Sequence, residues 1–299
     1  MPTDRPPTID PQAARRWRAL PQAQSAWLHD EVGRRMEARL AWIKQAPETW
    51  VHWEPVSGGL KTHALLATRY PDAQCLMVEP LAGNQLLAIK SVAKPWWHPG
   101  RWKSQARCLP EAPDGGAQML WANMALHMAA DPQALIGQWH RAIAVDGFLM
   151  FSCLGPDTLR ELRDLYQSQG WPEPAHLFTD MHDWGDMLVQ AGFAEPVMDM
   201  ERITLSFDTP QRLLRELREL GRNLNLARSP GLRGRGWLAQ LHEAMSQQLA
   251  HKAEQGRLTL TFEVIYGHAF KPKPRIRMGP ETVLSLDEMR ETLRKRENG

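Results

Sequence analysis

Two short segments hold the residues best suited to small-molecule chemistry. The first is WEPVSGGLK at 53 to 61, and the second is the acid that closes AQCLMVEP, Glu79. Glycines that follow a first strand let the backbone approach a ligand closely, and an acid ending a second strand accepts hydrogen bonds from ribose hydroxyls. The pair points to an adenosine-containing cofactor. The loop has neither GxGxxG nor GxxxxGK, so Gly58 and Gly59 read equally well as a plain strand-to-helix turn. The eleven histidines show no HxxH or HExxH spacing, and Cys75, Cys108 and Cys153 lie far apart. No metal site, disulfide framework or CxxC redox site is expected from them.

Such a site needs strands and helices in alternation. TWVHWEP at 49 to 55, AQCLMVEP at 73 to 80, AQMLWAN at 117 to 123 and GFLMFSCLG at 147 to 155 read as short apolar strands. LKTHALLATRY at 60 to 70 and PQALIGQWHRAIA at 132 to 144 read as helices between them, the second capped by Asp131. That order predicts a mostly parallel sheet with helices on both faces. Residues 10 to 46 read as one helical stretch, with Trp27, Leu28, Val32, Met36, Leu40 and Ile43 at three- and four-residue steps until Pro47. MERITLSFD at 200 to 208 and RLTLTFEVIYGHAF at 257 to 270 alternate with period two, predicting an antiparallel strand pair around a mostly helical insert that could act as a lid.

With 299 residues, 43% hydrophobic and 23% charged, the chain can bury a full core, which excludes wholesale disorder. A net charge of +2 excludes a strongly basic nucleic-acid-binding domain, so any basic docking surface is local. No stretch reaches the roughly 18 apolar residues of a membrane span, and MPTDRPPTID lacks the pattern of a signal peptide. A cytoplasmic monomer is expected, with no nucleic-acid or membrane partner. Thirteen tryptophans, among them Trp50, Trp53, Trp96, Trp97 and Trp102, follow no repeat and decide no function.

GPDTLRELRDLY at 155 to 166, FTDMHDWGDMLVQAGFAEPVMD at 178 to 199, LLRELRELG at 213 to 221 and FEVIYGHAF at 262 to 270 together resemble the BioC family. These are the malonyl-acyl-carrier-protein O-methyltransferases of biotin synthesis. The resemblance runs from about residue 27 to about 271 and is most specific in its second half. It implies a class I methyltransferase fold, Rossmann-like α/β with a seven-stranded sheet and a reversed last strand pair, and S-adenosylmethionine as cofactor. On the family pattern Glu54 opens the glycine motif, Ser57, Gly58 and Gly59 fall in its loop, Glu79 matches the ribose-binding acid, and Asn123 matches the polar residue of the pocket floor. The family pattern is acid-x-Gly-x-Gly-x-Gly, whereas those glycine positions here hold Val56, Gly58 and Leu60. A β-branched residue forced into a left-handed conformation would cost about 1 to 2 kcal/mol, so Val56 must bend the loop differently. The adenine-reading Gly-Asp-Ala is also missing, and Glu111 and Asp114 are the acids in its region, RCLPEAPDGGAQM.

The implied reaction is attack by a free malonyl carboxylate on the sulfonium methyl group, which requires no general base. Arg160, Arg163 and Arg202 are candidate cations for orienting that carboxylate. His182, Asp183, Tyr266 and His268 are candidates for shaping the acyl end. Packing or surface roles are the competing readings for His182 and Tyr266, and a helix N-cap for Asp157 with Thr158. Arg212, Arg215, Arg218, Arg222, Arg228, Arg233 and Arg235 face just Glu216 and Glu219 within 212 to 235. This segment, Arg215, Arg218 and Arg222 above all, could steer an acidic acyl carrier protein; Leu213, Leu214, Leu217, Leu220 and Leu224 equally give it an ordinary amphipathic face. The expected organisation is an N-terminal helical segment at 1–46, a cofactor-binding core at 47–208, a helical insert or lid at 209–256, a final strand at 257–271 and a basic exposed tail at 272–299. A non-catalytic scaffold on the same fold is a second reading. A third is the arginine hydroxylase of respiratory complex I assembly, which the same motifs also resemble.

Overall fold

The computed structural model describes residues 9–22, 24–93, 106–250 and 256–274. Trp96, Trp97, Trp102 and the tail from residue 275 lie outside the described residues. Seven strands form one sheet: β1 (Thr49–Trp53), β2 (Gln74–Val78), β3 (Ala106–Leu109), β4 (Ala117–Ala122), β5 (Ile143–Leu154), β6 (Ala194–Phe207) and β7 (Leu258–Phe270). Their spatial order is β3-β2-β1-β4-β5-β7-β6. The first five run parallel, while β7 pairs antiparallel with both β5 and β6. The winding reverses between β1 and β4, which places the expected ligand crevice at their carboxyl ends.

Helices cover both faces, so the central strands are largely apolar rather than alternating with polar residues. Trp50, Met119, Trp121, Phe148 and Met150 enter one core with Leu28, Val32 and Met36 of α2 (Trp27–Arg39). Their strand neighbours Val51, Leu120, Leu149 and Phe151 enter the other core with Ile136 and Trp139 of α6 (Pro132–Ala142). Asp131 caps α6 as expected, accepting from the Ala134 N–H at 2.9 Å. Among the described residues, no helix is long and apolar enough to cross a membrane.

The expected single helix at 10 to 46 is two. Asp10 caps α1 (Pro11–Arg18), the chain breaks around Pro21, and α2 follows, closed by a 3-10 turn at Leu40–Trp42. Trp27, read as part of the apolar stripe, is 55% exposed, whereas Leu28, Val32, Met36 and Leu40 are buried. β3 escaped the sequence reading because a four-residue edge strand carries too little pattern. β5 starts at Ile143, before the expected turn, and Asp146 at φ 64° bends it from within. β6 starts at Ala194, and its Pro196 is tolerated because this is the sheet edge. The insert contains α9 (Pro210–Leu220) and α10 (Arg235–Gln248), separated by a non-helical 221–234.

Candidate active site

The divergent glycine loop is a single helical turn, α3 (Pro55–Gly58), directly after β1. Its left-handed residue is Glu54, at φ 43°, so Val56 turns helically and without strain into the core. Three side chains hold the turn through consecutive carbonyls: Ser25 donates to Val56 O at 2.9 Å, His29 to Ser57 O at 2.7 Å, and Asn123 to Gly58 O. Asn123 Nδ2 also donates to His29 O at 2.7 Å, and its Oδ1 accepts from Ser152 at 2.6 Å. Asn123 thus ties β4, β5, α2 and α3 together. Gly58 is required by close approach, since a Cβ there would stand 2.7 Å from Asn123 O. Gly59, at φ 117°, completes the turn into α4 (Lys61–Arg69) in a conformation that favours glycine.

A cavity of about 460 Å³ opens at the carboxyl ends of β1, β2 and β4, within the range of small-molecule sites, about 300 to 1,000 Å³. Its walls include Glu54, Ser57, Glu79, Asn84 and His29, with Arg15, Trp17 and Arg18 of α1 across the mouth. Asn123, Gly58 and Gly59 shape this wall from beneath. Glu79 is 1% exposed, its Oε1 accepts from Val56 N–H at 2.8 Å, and burial pushes its carboxyl up to about 7. Asn84, five residues on in α5 (Ala82–Val92), is buried, and its Oδ1 has no partner. A carboxylate and an amide oxygen on one cavity wall are acceptors for two hydroxyl donors, the requirement of a ribose diol. Leu81, Ala125 and Leu135 give the same cavity apolar surface for a base. Glu111 and Asp114 are exposed and do not line it. Arg18 pairs with Glu54 at the mouth. The buried His29 donates through Nδ1, and burial pulls its pKa down, so its partnerless Nε2 is a bare acceptor.

A second cavity of about 210 Å³ shares Met128 and Leu220 with the first. Leu154, Leu159, Leu162, Leu214, Leu217, Phe178 and Phe262 make it apolar. Its polar side chains are the buried imidazoles of His127 and His176, whose Nδ1 atoms lack partners, the guanidinium groups of Arg218 and Arg222, and the amide of Asn223. α9 forms one wall through Leu214, Leu217, Arg218 and Leu220, while Arg212 and Arg215 remain exposed. This is where the insert meets the site.

The remaining predicted residues lie elsewhere. Arg160, half-exposed at the start of α7 (Arg160–Ser168), pairs with Glu161 at 3.2 Å. His182 is exposed in α8 (Met181–Gln190), just after the capping Asp180. Tyr266 is buried in the sheet, with its hydroxyl on Glu201 and the Arg39 guanidinium 3.6 Å from its ring centroid. None of the three lines either cavity. Arg163 donates to Pro156 O and His176 O, and Arg202 pairs with Asp157 at 2.6 Å. GPDTL serves as a stitch to β7: Gly155 N–H donates to Glu263 O and Leu159 N–H to Thr261 O, while Thr158 Oγ1 bonds both backbone groups of Glu263. Asp157 and Thr158 therefore do not cap α7. Asn84, Ser25, His29 and His176 are lone polar residues inside apolar patterns and carry no motif, and His127, at a strand end, reads from the sequence as packing.

No protein-family model matches the chain. A malonyl-[acyl-carrier protein] O-methyltransferase of Gallionella capsiferriformans is 39% identical over 263 residues, covering 84% of this chain and 87% of the relative. The enzyme of the same name from Laribacter hongkongensis is 39% identical over 263 residues, covering 85% of this chain and 86% of its own. Among solved structures, the YcgJ protein of Bacillus subtilis matches with a TM-score of 0.52 at 12% identity, covering 81% of this chain and 100% of that one, a likeness of fold alone.

Proposed function

The chain belongs to the malonyl-[acyl-carrier protein] O-methyltransferase family, and from that premise we propose that it transfers methyl from S-adenosylmethionine to the free carboxylate of malonyl-acyl carrier protein, in biotin synthesis. The observation that carries this reading is the pair of contiguous cavities. One has the acceptors a nucleoside needs; the other is an apolar chamber edged by arginines, and Met128 and Leu220 stand between them.

The residues of the larger cavity fit the cofactor. Glu79 and Asn84 would take the ribose, Leu81, Ala125 and Leu135 the base, and Glu54 with Arg15 and Arg18 the oppositely charged ends of the amino-acid part. When bound, the cofactor supplies an electrophilic methyl group on a charged sulfur. The chain's own work is then placement and exclusion of water. A malonyl carboxylate is ionised at neutral pH, so neither Tyr266 nor His182 is needed as a base. Holding the reactants in line supplies effective molarities of about 10⁵ M or more, and the apolar walls of the smaller cavity strip water from the carboxylate. The exposed Arg212, Arg215 and Arg218 along α9 give an acidic carrier protein a basic landing face.

The test is intact mass spectrometry of malonyl-carrier protein after incubation with enzyme and S-adenosylmethionine. A gain of one methylene, absent from acetyl-carrier protein and removed by an esterase, is expected. An unmodified malonyl form would count against the proposal.

A further inference from the structure

Arg222 stands where the two cavities meet. It lines the smaller cavity, while its Cζ lies 5.0 Å from the ring centroid of Trp17, which lines the larger one. Nη1 donates to the carbonyls of Arg218 and Gly221 at the end of α9, which fixes the head of an otherwise long and mobile side chain. Among the described residues no carboxylate comes within ion-pair distance of Arg222, whereas Arg212 and Arg228 each have one and Arg202 has two. Partial desolvation and the neighbouring Arg218 depress its pKa, the direction expected of a cation lacking a counter-charge. Met128, Leu217, Leu220 and Phe262 line the same cavity and give a partnering anion an apolar wall.

We infer that Arg222 holds the free carboxylate of the methyl acceptor and is thereby the residue that restricts the reaction to acyl thioesters ending in an acid. The inference rests on the methyl-transfer reading above and adds a role distinct from carrier docking. A guanidinium with Nη1 committed to the helix end still offers Nη2 and Nε, the paired donors a carboxylate takes bidentately. Trp17 then serves as the plate that keeps this plane against the donor cavity. Arg218, one turn back on α9, lacks that stacking contact and remains with the docking face.

The experiment uses the full chain with S-adenosylhomocysteine present, and compares binding of malonyl-pantetheine with its amide counterpart, in which the acid is replaced by a carboxamide. Neither probe carries the acyl carrier protein, so docking is not read. The wild type is expected to favour the acid by about tenfold or more, the scale of a charge-assisted bidentate pair. Arg222→Met should lower that ratio to near one, and Arg222→Lys should restore part of it. The exposed Arg141→Met, at the far end of α6, controls for lost charge and should retain the wild-type ratio. Binding of S-adenosylhomocysteine by each variant reports folding. A folded Arg222→Met protein that keeps the wild-type acid preference overturns the assignment while leaving the methyl-transfer reading intact. A wild type that leaves malonyl-carrier protein unmethylated overturns both.

Discussion

Replacing Glu79 by Gln should stabilise the empty protein and weaken its ligand. Glu79 is 1% exposed, and burial, with repulsion from Glu54, outweighs the hydrogen bonds from Val56 N–H and Asn84 and raises its pKa from 4.5 to about 7. The folded state therefore keeps a proton that the unfolded chain releases. Stability is fully present below the unfolded value of 4.5 and is lost as pH rises through about 7. At about 1.4 kcal/mol per pH unit the total loss is about 3 kcal/mol, of which about 2.5 falls between about pH 5 and pH 8.5. Gln keeps an acceptor for Val56 N–H and has no charge to bury. Urea unfolding of both proteins at the two pH values should show the variant gaining about 2 to 3 kcal/mol on the wild type as pH rises. Ligand binding runs the other way, because ribose hydroxyls donate to the ionised carboxylate. Methylthioadenosine, which has the ribose and lacks the titrating amino-acid end, should bind the wild type about tenfold more tightly at about pH 8 than at pH 6, and the variant with no pH dependence. A stability difference that stays constant with pH, or a variant that follows the wild-type binding profile, would refute the reasoning.

Gly58→Ala should displace α3, since the added Cβ would stand 2.7 Å from Asn123 O; a loss of about 1 to 3 kcal/mol in urea unfolding and weaker nucleoside binding by calorimetry are expected. Tyr266→Phe removes a hydroxyl whose partner Glu201 keeps Arg35 at 3.0 Å, so stability should fall by about 1 kcal/mol. Its turnover should stay within about twofold of wild type, because catalytic acid-base groups typically contribute 10²-fold or more; a hundredfold loss would place the phenol in the chemistry.

The parallel core is readable because β1, β2, β4 and the second half of β5 are mostly apolar runs buried on both faces, a pattern with few alternatives. The closing antiparallel pair was readable from its period of two. β3, only four residues at the sheet edge, and the break in the N-terminal helix were not. The glycine loop shows why. The missing glycines imply that Val56 bends the loop differently, and it does, but that the left-handed non-glycine residue would be Glu54 and the donors Ser25, His29 and Asn123, all distant in the chain, has no signature in the sequence. Glu79 was legible from its place at a strand end. Arg160, His182 and Tyr266 stand out in the sequence by residue type within motifs, and such motifs also arise from structural stitching, as between GPDTL and β7.

On the proposed reading the two adjoining cavities are donor and acceptor chambers. A crystal structure with S-adenosylhomocysteine and malonyl-pantetheine bound together tests it most directly. The ribose is expected on Glu79 and Asn84, the sulfur beside the wall shared by Met128 and Leu220, and the malonyl carboxylate on the other side of that wall within reach of Arg222. A nucleoside lodged away from Glu79, or an acyl group outside the smaller cavity, would contradict it.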